Sequence, residues 1–228
     1  MEELSTNSPS DLTGDDLSKT SLTGAVREKI EVMIMRGEIE PGARLNEKAL
    51  ATKLNVSRGP IREATRLLAE AGFVTMIHNR GAFAREIKLT DVLHGYDVRA
   101  GLAHAAGRLA ALRATKVQVA ELRNLWEQME GAVEKQDSDL YAEINRTFHT
   151  RIVDLSRNPR LIDFYAVTER ELFLFLRRGV AGSSRPRLSN QEHARILEAI
   201  SNGDEMGAAH AFETHILNGK QRMLETLA

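Results

Sequence analysis

Cysteine is absent from this 228-residue chain, which excludes disulfide frameworks, thiolate metal sites and cysteine nucleophiles and permits a reducing compartment. No apolar run approaches the roughly 18–20 residues needed to cross a bilayer. Residues 1–16 are polar and acidic, and are expected to be neither a signal peptide nor a transit peptide. Net charge is nearly missing too, with 31 Lys and Arg against 32 Asp and Glu. What remains, 42% hydrophobic and 28% charged residues, is an ordinary soluble composition that excludes wholesale disorder and fibrous classes. There is no internal repeat.

The near-zero charge conceals an asymmetry. Residues 1–23 hold one base and five acids and read as a flexible, solvated tail. Residues 24–90 hold 12 bases and 8 acids, and residues 91–228 hold 18 bases and 19 acids. A small basic domain over 24–85, a linker at 86–90 and a larger near-neutral domain over 91–228 follow from that division.

The basic segment predicts helix, helix, helix, hairpin. Val26, Ile30, Met33 and Ile34 recur at helical spacing before Gly37, and Pro41-Gly42 marks a turn. Leu45, Leu50 and Leu54 belong to a short second helix. Ser57 is placed to cap a third, with Pro60 in its first turn, and that helix buries Ile61, Ala64, Leu67 and Leu68 before Gly72. Two β-prone runs, Phe73–Ile77 and Ala82–Ala84, flank His78-Asn79-Arg80-Gly81, which has hairpin chemistry. Beyond Thr90 helical periodicity takes over, with helices expected near 91–114, 117–135, 138–156, 159–180, 187–202 and 204–226. Thr115 and Gln118 make a capping-box pattern, Pro159 suits a helix start, and Gly182 falls in a break. The fold class is mainly α: an N-terminal winged helix-turn-helix with a small β-hairpin wing, then an antiparallel all-α bundle of six or seven helices.

In a winged helix-turn-helix the second helix of the motif enters the major groove and reads base edges with its N-terminal side chains. Here those are Ser57, Arg58, Gly59 and Arg62. Arg58 and Arg62 are four apart and share a face, and arginine matches guanine O6 and N7 as a bidentate fork. Ser57 and the helix N-terminus suit a phosphate. Arg44 and Lys48 are placed for backbone contacts, and Arg80 on the hairpin tip for the minor groove. Arg66 reads as a solvated helix end.

The run Gly37-Glu38-Ile39-Glu40-Pro41-Gly42, with Leu45, Leu50-Ala51, Val56-Ser57-Arg58-Gly59-Pro60-Ile61-Arg62-Glu63-Ala64, Leu67 and Gly72-Phe73-Val74, resembles the DNA-binding domain of GntR-family transcriptional regulators over about 50 residues. That resemblance implies operator contacts by Lys48, Arg58, Arg62 and the wing Gly81.

In the second domain Asn145 and His149 lie four apart on one helix, flanking Ile144 and Phe148, so their face borders the apolar one. His193 falls on the fifth helix of this domain and His215 on the sixth. One Asn and three His from three helices can converge in a bundle core. By itself such spacing is weak, because a lone histidine is more often a core or surface residue than a ligand. Imidazoles suit Zn, Ni, Cu or Fe, and three of them leave open coordination positions. His78, His94, His104 and His210 have no partner pattern. Trp126 with Leu122, Leu125 and Met129 forms a core stripe, and Arg177-Arg178 reads as a solvated helix end.

Val98-Arg99, Asn145-x-x-Phe148-His149, Asn158-Pro159-x-Leu161, Glu192-His193-x-x-Ile196-Leu197-x-Ala199-Ile200 and His215 resemble the ligand-binding domain of the FadR-like branch of the same family, of the metal-dependent FCD type. The resemblance implies a divalent metal on Asn145, His149, His193 and His215, with Zn2+ expected first and Ni2+ or Mn2+ next. It also implies an effector carboxylate clamped by Arg99, a homodimer on a near-palindromic double-stranded operator, a cytoplasmic location without membrane attachment, and repression as the commonest mode. Asn145 departs from the pattern, where Asp is the usual first ligand. A neutral carbonyl leaves the metal its full +2, which weakens its retention and strengthens its pull on an anion. Two other readings stand beside this non-enzymatic one: a constitutive DNA-binding protein with a purely structural metal, and a metal-dependent hydrolase fused to a DNA-binding domain. Against the hydrolase, the chain has no HExxH run, no Gly-rich phosphate loop and no evident base beside the ligands.

Overall fold

The computed structural model describes residues 14–176 and 185–227, with side chains from residue 22 onward. The chain forms two compact units, divided between Glu86 and Ile87.

In the first unit α1 (Gly14–Met35), α2 (Glu47–Leu54) and α3 (Arg58–Glu70) precede the strands β1 (Val74–Ile77) and β2 (Gly81–Ala84). The segment expected to be a solvated tail is helical from Gly14 on; residues 1–13 lie outside the described residues. Val26, Ile30, Met33 and Ile34 of α1 are buried with Ile61, Ala64 and Leu68 of α3, as their spacing predicted. Asn46, which sequence reasoning passed over, caps α2: the amides of Lys48 and Ala49 both donate to its Oδ1 at 3.1 Å. Ser57 occupies the N-cap position of α3, but its hydroxyl makes no capping hydrogen bond. The expected Ser57 cap is therefore a position without a bond, and the hydroxyl stays exposed.

β1 and β2 pair antiparallel, Val74 opposite Ala84 and Ile77 opposite Gly81. Asn79 (φ 57°) and Gly81 (φ 99°) supply the left-handed backbone that the tight connection demands. A third segment lies on the far side of β2, where Leu45 N donates to Ala82 O at 2.9 Å and Ala84 N to Ala43 O at 2.8 Å. This ties the turn after α1 to the wing.

The second unit holds α4 (Leu89–Arg113), α5 (Lys116–Glu134), α6 (Ser138–Leu155), α7 (Pro159–Leu176), α8 (Pro186–Ser201) and α9 (Glu205–Leu227). Thr115 and Gln118 form the reciprocal capping box expected of them. Asp137 caps α6 through the Leu140 amide at 3.0 Å, and Gly203 (φ 67°) separates α8 from α9. The expected end of α7 near residue 180, Arg177-Arg178 and the break at Gly182 lie outside the described residues. Trp126 is half-buried and donates from Nε1 to Asn190 O at 3.1 Å.

α4 is the hub of this unit, packing on α6, α7, α8 and most extensively α9. It achieves this with small side chains: Ala100, Ala103, Ala106, Gly107 and Ala110 are all buried. At Gly107 the two backbones nearly touch, since a Cβ there would sit 2.4 Å from Ala208 O. The obstacle is backbone and cannot swing aside. Gly107→Ala is therefore expected to cost about 1–3 kcal/mol by overpacking, seen as a lowered thermal midpoint. Gly101→Ala, on the same helix but facing open space, should be neutral or raise it by helix propensity. Equal effects in thermal denaturation followed by circular dichroism would contradict the assignment.

Candidate functional site

The first unit presents its bases together. Arg58 and Arg62 stand exposed in the first turns of α3, and the Glu47 carboxylate accepts from both: Arg58 Nη2 at 3.2 Å and Arg62 Nε at 2.8 Å. The Arg62 bond, the largest influence, holds the Glu47 carboxyl below the usual carboxylate range. Sequence reasoning passed over Glu47; its place at the start of α2 was the available signal. Arg44 lies against the wing, its guanidinium 3.4 Å from where a Gly81 Cβ would be, and it is the left-handed backbone at φ 99° that calls for glycine at 81. Arg80 stacks over Phe83 at 5.9 Å from the ring centroid. Lys48, Ser57 and Gly59 are exposed. Arg66 is engaged by Glu63 at 2.7 Å and Glu70 at 3.0 Å, in keeping with its expected surface role.

In the second unit three imidazoles from three helices meet. His149 (α6) Nε2 lies 3.0 Å from His193 (α8) Nε2, which lies 3.2 Å from His215 (α9) Nε2. All three rings are buried, with inward-facing nitrogens close enough to share one ion. Behind them, His215 Nδ1 meets Glu192 Oε2 at 2.7 Å and His193 Nδ1 meets Asn190 Oδ1 at 3.2 Å. Those acceptors fix the proton on Nδ1 and turn the Nε2 lone pairs toward the common centre. Glu192 is itself held by Arg222 at 2.8 and 3.0 Å and by Asn218 at 2.8 Å. Burial would raise its carboxyl, but the bonds from His215, Arg222 and Asn218 outweigh burial and hold it at about 2.

Asn145 Oδ1 is buried and has no hydrogen-bond partner in the protein. An orphaned carbonyl oxygen beside three neutral imidazoles is the donor set that a first-row divalent ion takes. The residues present therefore fit a metal. Asn145, His149 and His215 share the wall of a cavity of about 160 Å³ with Arg99, Tyr141 and Arg222. Arg99 is buried, 4.9 Å above the Tyr165 ring centroid, with Nη2 3.5 Å from His149 Nδ1 and 3.8 Å from Glu169 Oε1. Its Nε has no partner. Tyr141 is buried with an unpartnered hydroxyl, and burial pushes its pKa to about 12. His104 instead pairs with Glu213 at 2.9 Å and stacks edge-on with His210, while His78 and His94 are exposed. None of these four joins the cluster.

With fold and site described, kinship can be stated. The FCD domain description matches residues 94–218, and that of bacterial regulatory proteins of the gntR family matches residues 22–84. The Nta operon transcriptional regulator of Aminobacter aminovorans is 33% identical over 196 residues, covering 86% of this chain and 91% of that protein. A probable D-xylose utilization operon transcriptional repressor of Paenarthrobacter nicotinovorans is 30% identical over 207 residues, 90% of each. Among solved structures, E. coli McbR/YncC superposes with a TM-score of 0.71 at 24% identity, covering 91% of this chain and 99% of that one, and shares the fold. The chain belongs to the GntR family of DNA-binding transcriptional regulators, with an FCD domain behind its winged helix-turn-helix. Regulators of this family bind DNA and commonly act as dimers. No helix among the described residues is long and apolar enough to cross a membrane.

Burial, and after it the charge of the neighbouring rings, holds His149 and His193 well below the ordinary value of 6.5; burial also lowers His215, with Glu192 opposing. Protons avoided by the folded state are taken up by the unfolded chain once pH drops below about 6.5. Stability is therefore complete above that value and is lost as pH falls through and beneath it. For metal-free protein the slope should reach about 1.4 kcal/mol per pH unit for each ring that stays neutral. Chemical denaturation between pH 7.5 and 5.5 measures it, and His193→Gln should flatten the dependence; an unchanged slope in that variant would remove the imidazoles from the account.

Proposed function

We propose that this chain is a repressor whose grip on its operator is set by a small carboxylate bound at a divalent metal, Zn2+ first among candidates, on Asn145, His149, His193 and His215. The observation that carries the reading is the meeting of three buried, neutral imidazoles, two of which share a cavity wall with an orphaned amide oxygen and Arg99. A metal bound there supplies a Lewis-acidic positive point toward which a carboxylate is drawn. Arg99 adds a planar fork that matches a carboxylate in shape and sign, and its unpartnered Nε is a donor awaiting an acceptor. The carboxylates nearest the cluster are committed, Glu192 to His215 and Arg222 and Glu169 to Arg99, so neither is free to serve as a general base. That favours a binding site over a hydrolytic one.

At the other end, Arg58 and Arg62 read bases in the major groove, Arg44, Lys48, Ser57 and Gly59 hold the phosphate backbone, and Arg80 with Gly81 serves the wing in the minor groove. Repression accords with the relative described as a repressor. The working form is a cytoplasmic homodimer with the effector and dimer functions in the region following residue 90, and with the short stretch at 86–88, ahead of α4, serving as linker. A symmetric dimer presents two recognition helices and calls for a near-palindromic operator with half-sites about 10 bp apart or a multiple of that.

Arg58→Ala should cost on the order of 1–3 kcal/mol of operator affinity and relax base preference, whereas Lys48→Ala should weaken all sequences alike. Electrophoretic titration against operator variants separates the two; Arg58→Ala acting uniformly would remove it from base readout. His149→Ala and His193→Ala should empty the metal site by elemental analysis after dialysis while DNA binding persists, since the ligands lie in the second unit. Arg99→Ala should abolish release of DNA by a responsive acid, a coupling worth about 1–3 kcal/mol in such systems.

A further inference from the structure

The charge around the cavity narrows the effector further, on the strength of the effector reading above. Two of the described residues lining it are cationic, Arg99 and Arg222, and none is acidic. Each arginine already has a carboxylate partner set back from the lining. Glu169 Oε1 lies 3.8 Å from Arg99, and Glu192 accepts both Nη1 and Nη2 of Arg222 at 2.8 and 3.0 Å. Those two pairs cancel. The four side chains offered to the metal are all neutral, three imidazoles and the Asn145 amide, where a carboxylate at 145 would have removed one of the two charges. Tyr96 and Tyr141, also on the wall, are neutral phenols near pH 7.

A divalent ion in this cluster therefore leaves two positive charges that nothing in the cavity wall offsets. Charge buried without a partner is costly, and the bound anion is what remains to balance it. The arginines are placed to receive two groups. Arg99 stands on α4 beside His149, and Arg222 stands on α9 two turns beyond His215. Arg222 is held rigidly by Glu192, its side chain only 12% exposed. Two of its five N–H groups are spent on Glu192, leaving three for a ligand. The cavity, at about 160 Å³, lies below the roughly 300–1,000 Å³ of drug-sized sites.

We infer that the effector is a short dianion, a dicarboxylate of a few carbons. One carboxylate is taken by the metal and Arg99, and the other is received by Arg222. Asn145 sets this preference by withholding a charge from the site.

The test uses full-length protein loaded with zinc, with one ion per chain confirmed by elemental analysis for wild type and each variant. Calorimetry compares malonate and succinate with their half-amides, malonamate and succinamate, which match them in shape and carry one charge fewer. Wild type should favour the dianions by about tenfold or more. Asn145→Asp, which adds a charge while keeping an oxygen ligand, should retain zinc and shrink that preference about tenfold. Arg222→Gln should weaken the dianions far more than the half-amides. Half-amides binding as tightly as dianions to wild type would overturn the dianion, and a preference unmoved by Asn145→Asp would overturn the part given to Asn145; either leaves the effector reading standing. If neither dianions nor half-amides bind the zinc-loaded protein, the effector reading itself falls and takes the dianion with it.

Discussion

Three buried imidazoles packed nitrogen to nitrogen can share a space only while each stays neutral, with a single ring proton. Most of the second unit answers to that condition. α4 comes in close behind the cluster because its inner face is alanine and glycine. α8 spends two polar residues, Asn190 and Glu192, on orienting rings rather than on solvent. Arg222 and Asn218 hold Glu192 so that it can do so. Remove the cluster and this polar network, buried in a helical bundle, would have no apolar equivalent of its own. A core made only of leucines would be simpler and at least as stable. Under the proposed function, retention of these polar groups is intelligible as the cost of a site built to meet an ion and an anion.

The front unit meets a related problem on its surface. Under the proposed base readout, Arg58 and Arg62 must share one helical face although they repel one another. Glu47, reaching from the start of α2, bridges both guanidiniums and limits their wandering. Exposed ion pairs add little stability; their value here lies in orientation. Gly81 contributes through its backbone, whose φ of 99° closes the wing beside Arg44.

The fold was legible in the sequence wherever punctuation and periodicity coincided. Thr115 with Gln118 and Pro159 marked helix ends that the backbone honours, and the apolar spacing of Val26 to Ile34 and of Ile61 to Leu68 named the core of the first unit. The start of α1 was not legible, because residues 14–22 carry polar side chains without a repeating apolar face. Asn46 went unseen as a cap because Leu45 before it looked like the first apolar residue of a helix; in fact its amide pairs with the wing. Ser57 shows the opposite failure, the right residue at the right position without the bond. In the site, the i to i+4 pair Asn145 and His149 was readable, as was the presence of two more histidines. Their convergence was legible only through the family resemblance, since helices α6, α8 and α9 are brought together by packing on α4 that no local pattern encodes. Glu192 and Arg222 were hidden for the same reason: an acid beside His193 in sequence turns out to serve His215 on the next helix.

Arg99 and Gly107 belong to the same helix, eight residues or about 12 Å apart. At Gly107 the α4 backbone rests on that of Ala208 with no side chain between them, so α4 has no slack there to translate. Arg99 thus reaches the cavity from a helix whose distance from α9 is set by bare backbone contact rather than by a side chain that could change rotamer.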